Sequence, residues 1–216
     1  MEGAIMVPKI IDPEKIEEES FRIIESEMAP HSFSAPEFQV VRRVIHASAD
    51  FEFAKMIRFH PGAIASGIEA LRKGVPIVAD VEMIQAGVSK AGLKRLGGRD
   101  VCCYISDEDV MREAKALGIT RAICSMRKAV KNGGGIFAIG NAPTALLELI
   151  RLVGEGEVSP ALIIGVPVGF VSAVESKDAL LSLDVPYITS LGRKGGTPVA
   201  VSIMNALIRL ALAGGS

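Results

Sequence analysis

Apolar residues along the first third of the chain fall at helical spacings. Behind the Asp12-Pro13-Glu14 opening, Ile16, Phe21, Ile23 and Ile24 give a helix running to about Met28 an apolar face. Ser34-Ala35-Pro36-Glu37 reads as a second helix start: serine as N-cap, proline in the first turn, glutamate three residues past the cap. Phe38, Val41, Val44 and Ile45 then recur at steps of three and four, drawing a stripe that ends just before His46. After an acidic and aromatic turn at 50–53, Pro61 opens a third helix that carries Ile64, Ile68 and Leu71 and stops at Gly74.

From residue 75 the pattern changes to short apolar runs separated by helices. The runs are 75–81, 100–106, 135–140, 160–168 and 185–191, rich in valine and isoleucine. Ser106 or Asp107 caps a helix that Gly118 ends, Thr120 caps another, and an apolar helix from Pro198 to Ala213 closes the chain. Five such strands alternating with helices predict an α/β fold. It is a doubly wound three-layer sandwich around a mainly parallel five-stranded sheet, with residues 1–216 forming one domain. Ligands of such sheets sit at the carboxyl ends of the strands, near the reversal of strand order. The loops there begin at Asp80, Ser106, Gly140, Val166 and Gly192.

Composition sharpens this picture. A chain of 216 residues that is 49% hydrophobic is ample for a sizeable core. A net charge of -1 argues against nucleic-acid binding through a general positive field, yet leaves room for a local basic pocket. Cys102, Cys103 and Cys124 form no CxxC pair and no zinc set, and read as reduced, mostly buried thiols. Residues 1–20 contain lysines and glutamates and no long apolar core, so no signal peptide is expected. No run is long enough to cross a bilayer, and the expected location is the cytoplasm.

The loops offer limited chemistry. No GxGxxG follows any strand, and no GxxxxGK[ST] is present, which counts against nucleotide cofactors. Residues 191–198, with Arg193, Lys194, Gly195 and Gly196 between a strand and a helix, make an anion cradle or simply a glycine-rich turn. Lys177 near a helix start opposes the dipole there, so it serves an anion or partner, or is a solvated surface lysine. Asn141, after Gly140 and before Pro143, is a natural N-cap. Asp80 and Glu82 could do acid/base work or bind a metal, or cap a turn. His31 and His60 have no obvious carboxylate or cysteine companions, so no metal site is expected. His46, near a helix C-terminus where the carbonyls suit an imidazolium, is a candidate general acid; a capping or core histidine is the alternative.

Four stretches, taken in order, resemble the precorrin-8X methylmutases, including the cobalt-precorrin-8 enzymes of corrin biosynthesis. They are SFRIIESE (20–27) with VVRRVIHASADFEF (40–53), HPGAIASGIEALRKGVPIVADVEMIQAGV (60–88), IGNAPTALLELI (139–150), and PALIIGVPVGFVSAVESKDALL (160–181) running on to VPYITSLGRKGGTPVAVSIMNALI (185–208). The resemblance implies an isomerase that moves a methyl group from C11 to C12 of a tetrapyrrole without an organic cofactor. It implies a homodimer with the substrate close to the interface, and His46 as the residue that protonates the macrocycle. The substrate carries many carboxylates. Charge and position then mark Arg42, Arg43, Lys177, Arg193 and Lys194 as their partners, with the turns at Asn141 and Gly195 as hydrogen-bonding backbone. A non-catalytic tetrapyrrole carrier on the same fold is the alternative.

Overall fold

The computed structural model describes residues 12–98 and 100–214. Part of the segment read as lacking a signal peptide, residues 1–11, lies outside the described residues. The helices α1 (Pro13–Glu27) and α2 (Ala35–Ser48) form where the apolar spacing places them. Glu37 closes the start of α2 by accepting hydrogen bonds from the Ser34 backbone N–H at 2.8 Å and hydroxyl at 2.7 Å. Next come α3 (Phe53–Met56), β1 (Ile57–Phe59), α4 (Ala63–Arg72), β2 (Ile77–Ala79), α5 (Glu82–Gly87) and α6 (Lys90–Arg95). The second half runs α7 (Glu108–Leu117), α8 (Arg121–Lys131), β3 (Ile136–Ile139), α9 (Pro143–Gly154), β4 (Leu162–Gly165), α10 (Ala173–Leu181), β5 (Tyr187–Ser190) and α11 (Thr197–Ala213).

The sheet order is β1-β5-β4-β3-β2, parallel except for β1, which runs antiparallel to β5 at the edge. The α/β class and the five-stranded, mainly parallel sheet are as expected, but one strand differs. Residues 100–106 do not form a strand; Cys102 alone bridges Val78 in parallel, donating to Ile77 O and accepting from Ala79 N, both at 2.8 Å. The fifth strand is β1, whose Ile57-Arg58-Phe59 is too short to carry a readable alternation.

Side chains alternate across the sheet and define two cores. On β3, Ile136 and Ala138 belong with the buried faces of α2, α4 and α11, and Phe137 and Ile139 with those of α8, α9 and α10. The bridge at Cys102 lies on the outer side of β2, while β3 lies on its inner side. Strand order therefore reverses between β2 and β3, which opens the crevice where such folds hold ligands. Among the described residues, no helix is long and apolar enough to cross a membrane.

Candidate functional site

At the reversal point sits Asp80, fully buried, immediately after β2. Its carboxylate accepts hydrogen bonds from the backbone N–H groups of Gly140 (3.1 Å), Asn141 (2.9 Å) and Ala142 (2.7 Å). Burial pushes the Asp80 carboxyl above its ordinary range against the pull of these amides. The loop that leads into α9 is thus held by a carboxylate from the end of the neighbouring strand β2. Asn141, the natural cap by sequence, instead offers its side chain to solvent, and Ala142 holds the N-cap position. Asp80 and Glu82 form no acid/base pair: one is a buried loop-holder and the other an exposed residue in the first turn of α5.

The loop ends converge on Gly196. A side chain on Gly140 would stand 3.0 Å from the Gly196 carbonyl, and one on Gly196 would meet Val168 at 3.6 Å and Pro198 at 3.7 Å. Gly195 packs still closer, because a Cβ there would lie 2.2 Å from Val166 O. Gly196 N–H donates to the same Val166 carbonyl at 2.8 Å. The glycines of the basic turn are therefore needed for close backbone approach to the β4–α10 loop.

Lys177 lies beneath this turn. It is fully buried, and its ammonium donates to Lys194 O at 2.8 Å and approaches Ser190 Oγ at 3.4 Å. Burial pushes its pKa down to about 8. The other basic candidates divide by their partners. Arg42 turns toward Glu25 and Gln39 and covers the Phe21 ring, 4.1 Å from its centroid. Arg43 pairs with Glu17 at 3.0 Å, a carboxylate it shares with Arg209 at 2.9 Å. Burial alone would raise the Glu17 carboxyl, but the two guanidiniums outweigh it and hold the group below its usual range. Lys194 reaches Asp50 at 2.6 Å and Glu52 at 2.5 Å, and the Asp50 hydrogen bond, then Glu52, raises its pKa. Arg193 has no carboxylate partner among the described residues; its guanidinium lies 5.3 Å from the centroid of Phe170.

His46 stands on the last turn of α2, which ends at Ala49 in a left-handed conformation (φ 52). Val40, Val41, Val44 and Ile45 are buried, so the imidazole follows the buried stripe onto the exposed edge of the helix. The ring of Phe21 meets it edge-on, with centroids 5.2 Å apart. His46 opens onto a groove of about 350 Å³ between α1, α2 and α11, shared with Arg43, Pro198, Ser202 and Asn205. Neither ring nitrogen has a hydrogen-bond partner among the described residues. His60, by contrast, pairs with Asp184 at 3.4 Å, a carboxylate companion that the sequence did not suggest. Among the described residues, no group of three or more His, Cys, Asp or Glu is placed to hold a metal ion.

The structure thus brings His46 and Arg43 into one groove and Arg193, Lys194 and Gly195 into one turn with Lys177 buried beneath it, joined through Gly196 and Pro198. Arg42 lines neither, its guanidinium being engaged by Glu25, Gln39 and the contact with Phe21. Phe170 and Val171, an apolar pair that follows Gly169 in a loop rather than a strand, are 85% and 82% exposed.

A family model described as precorrin-8X methylmutase matches residues 15–210. The cobalt-precorrin-8 methylmutase of Priestia megaterium is 56% identical over 208 residues, covering 96% of this chain and 92% of that protein. The precorrin-8X methylmutase of Sinorhizobium sp is 38% identical over 203 residues, covering 93% of this chain and 96% of its own length. The crystal structure of precorrin-8x methyl mutase from Thermus thermophilus superposes with a TM-score of 0.88 at 44% identity, covering 94% of this chain and 98% of that one.

Proposed function

The chain belongs to the precorrin-8X methylmutase family, and from that premise we propose that it shifts a methyl group from C11 to C12 of precorrin-8 or cobalt-precorrin-8, with His46 as general acid. The coarser statement is direct: the protein is an isomerase of cobalamin biosynthesis that moves a methyl group within one molecule. The observation that carries the finer reading is His46 itself. Its imidazole faces an open groove, is braced by Phe21, and spends no hydrogen bond on the described residues.

A proton lent to the macrocycle draws electron density through the conjugated system and weakens the C11–methyl bond. The C11–methyl bond then breaks as the C12–methyl bond forms, in a 1,5-sigmatropic sense. His46 recovers its proton as the neutral product forms, so substrate and product have the same atoms. The reading needs no organic cofactor. Arg43 and Asn205 share the groove with Glu17. Arg43 is paired with Glu17, Asn205 donates to Gly87 O and Ser202 to Val199 O, so a substrate carboxylate would compete with Glu17 for the Arg43 guanidinium. A single domain over residues 1–216 and a cytoplasmic location, both read from the sequence pattern, and a homodimer with the substrate close to its interface, which the family resemblance implies, complete the proposal.

Mixing the protein with precorrin-8 or its cobalt form should change the visible spectrum, because moving the methyl alters the conjugation. The His46→Ala variant should keep its fold and substrate binding while turnover falls by about 100-fold or more. Turnover within a few-fold of wild type would remove His46 from the mechanism, and binding without conversion by the wild type would mark a carrier.

A further inference from the structure

The groove at His46, about 350 Å³ and open to solvent, is at the small end of the ~300–1,000 Å³ that drug-sized ligands occupy. A tetrapyrrole with its acetate and propionate arms needs more wall than that. The surface beyond Pro198 supplies a candidate. Val168 and Pro198 both stand against Gly196, and the loop then carries Phe170 and Val171 almost wholly into solvent. Val168 itself is 48% exposed, so three apolar side chains within four residues are left largely uncovered by the described residues. Of the five basic candidates, Arg193 alone is both exposed and without a carboxylate partner among the described residues, and it lies on the Phe170 ring.

We propose that Val168, Phe170 and Val171 together with Arg193 form a second wall of the substrate site, on which an apolar macrocycle rests while the guanidinium takes one of its peripheral carboxylates. The proposal rests on the tetrapyrrole reading above and names the specificity-determining surface of that site. The chemistry of the patch selects the occupant. An aromatic and two aliphatic side chains suit the body of a large conjugated ring, and an unpaired guanidinium suits an anion at the edge of that ring. A purely apolar partner would leave the Arg193 charge buried and unpaired, and a purely anionic one would leave Phe170 and Val171 uncovered. The turn that carries Arg193 is held from beneath, since Lys177 and Ser190 both donate to Lys194 O and Gly169 N–H donates to Arg193 O at 3.2 Å. The charge is therefore preset rather than recruited, which lowers the ordering cost of binding.

The test uses Arg193→Gln, Phe170→Ser and the double variant in the full chain. KM for cobalt-precorrin-8 is read against kcat, Kd by spectral titration in the His46→Ala background, and mass in solution by light scattering. Arg193→Gln should raise KM and Kd about tenfold and flatten their dependence on salt. Phe170→Ser should raise them about fivefold, and the double variant should lose less than the product of the two, because the side chains stack. In all three, kcat should stay within about twofold. Unchanged KM and Kd would overturn the wall, as would a change of mass with KM unchanged, which would assign the loop to contact between two copies of the chain. Wild-type protein that binds cobalt-precorrin-8 without converting it would sink the isomerase reading alone; the wall would then stand or fall on Kd. Wild-type protein that neither binds nor converts it would sink both.

Discussion

Lys177 is a charge placed where charge is costly. Its ammonium is fully buried and, among the described residues, meets a carbonyl and a hydroxyl but no carboxylate in hydrogen-bond contact. The folded-state pKa of about 8 lies below the ordinary 10.5, so between those values the unfolded chain binds more protons than the native one. Stability contributed through this group must then rise with pH across that window. Lys177→Met removes the titration, and Ser190 Oγ still donates to Lys194 O at 2.9 Å, so the carbonyl keeps a partner. Measured by denaturant unfolding, the stability of wild type relative to Lys177→Met should be flat below pH 7. It should then climb from pH 8 to 10 by up to about 1.4 kcal/mol per pH unit. Parallel curves would show that the amine does not lose its proton in the folded state. The sequence placed Lys177 against the dipole of a helix start and left open whether it served an anion or faced solvent. It could not show that the side chain turns inward, because that depends on Ser190 and Lys194, which are neighbours only after β4 and β5 pair.

At the scale of elements, helices were legible wherever a capping residue met a stripe at helical spacing. Ser34 with Glu37 starts α2, Thr120 accepts from Ile123 N–H at 3.4 Å to start α8, and Gly118 (φ 66) ends α7. Strands were legible only where both faces are buried. All four residues of β3, β4 and β5 are buried, and these strands read as apolar runs. The three residues of β1 include an exposed arginine and gave no such signal, whereas Val101, Cys102 and Cys103 gave a false one. The helix start at α9 shows a further limit. The loop that leads into it is held by Asp80, some sixty positions away, and no local pattern near Asn141 announces that contact. Asp80→Ala would leave three amides without their acceptor and should cost about 3 kcal/mol or more in denaturant unfolding. The β3–α9 loop would also lose the support that sets it against Gly196. A loss under about 1 kcal/mol would mean that water replaces the carboxylate and that Asp80 is not what holds the loop.

The whole molecule is organised by one sheet serving two cores, and this bears on whether the chain unfolds as one unit. The core on the α2, α4 and α11 side is the larger, and the core on the α8, α9 and α10 side is separated from it by the sheet. Neither layer can leave without exposing the other face of the same strands: Ile136 and Phe137 are consecutive residues that serve opposite cores. The strands are only three or four residues long, too short to persist as a bare sheet in water. Both layers should therefore be lost together. The chain contains no tryptophan and two tyrosines, and Tyr104 and Tyr187 both pack on the α8–α10 side. Tyrosine fluorescence thus reports one layer, while far-ultraviolet circular dichroism reports the helices of both. In a urea titration the two signals should trace the same midpoint and slope, the behaviour of a single cooperative domain. A tyrosine transition that precedes the helical one would show the α8–α10 layer unfolding by itself. The proposed single domain would then divide along the sheet, with the His46 groove surviving on α1, α2 and α11 alone.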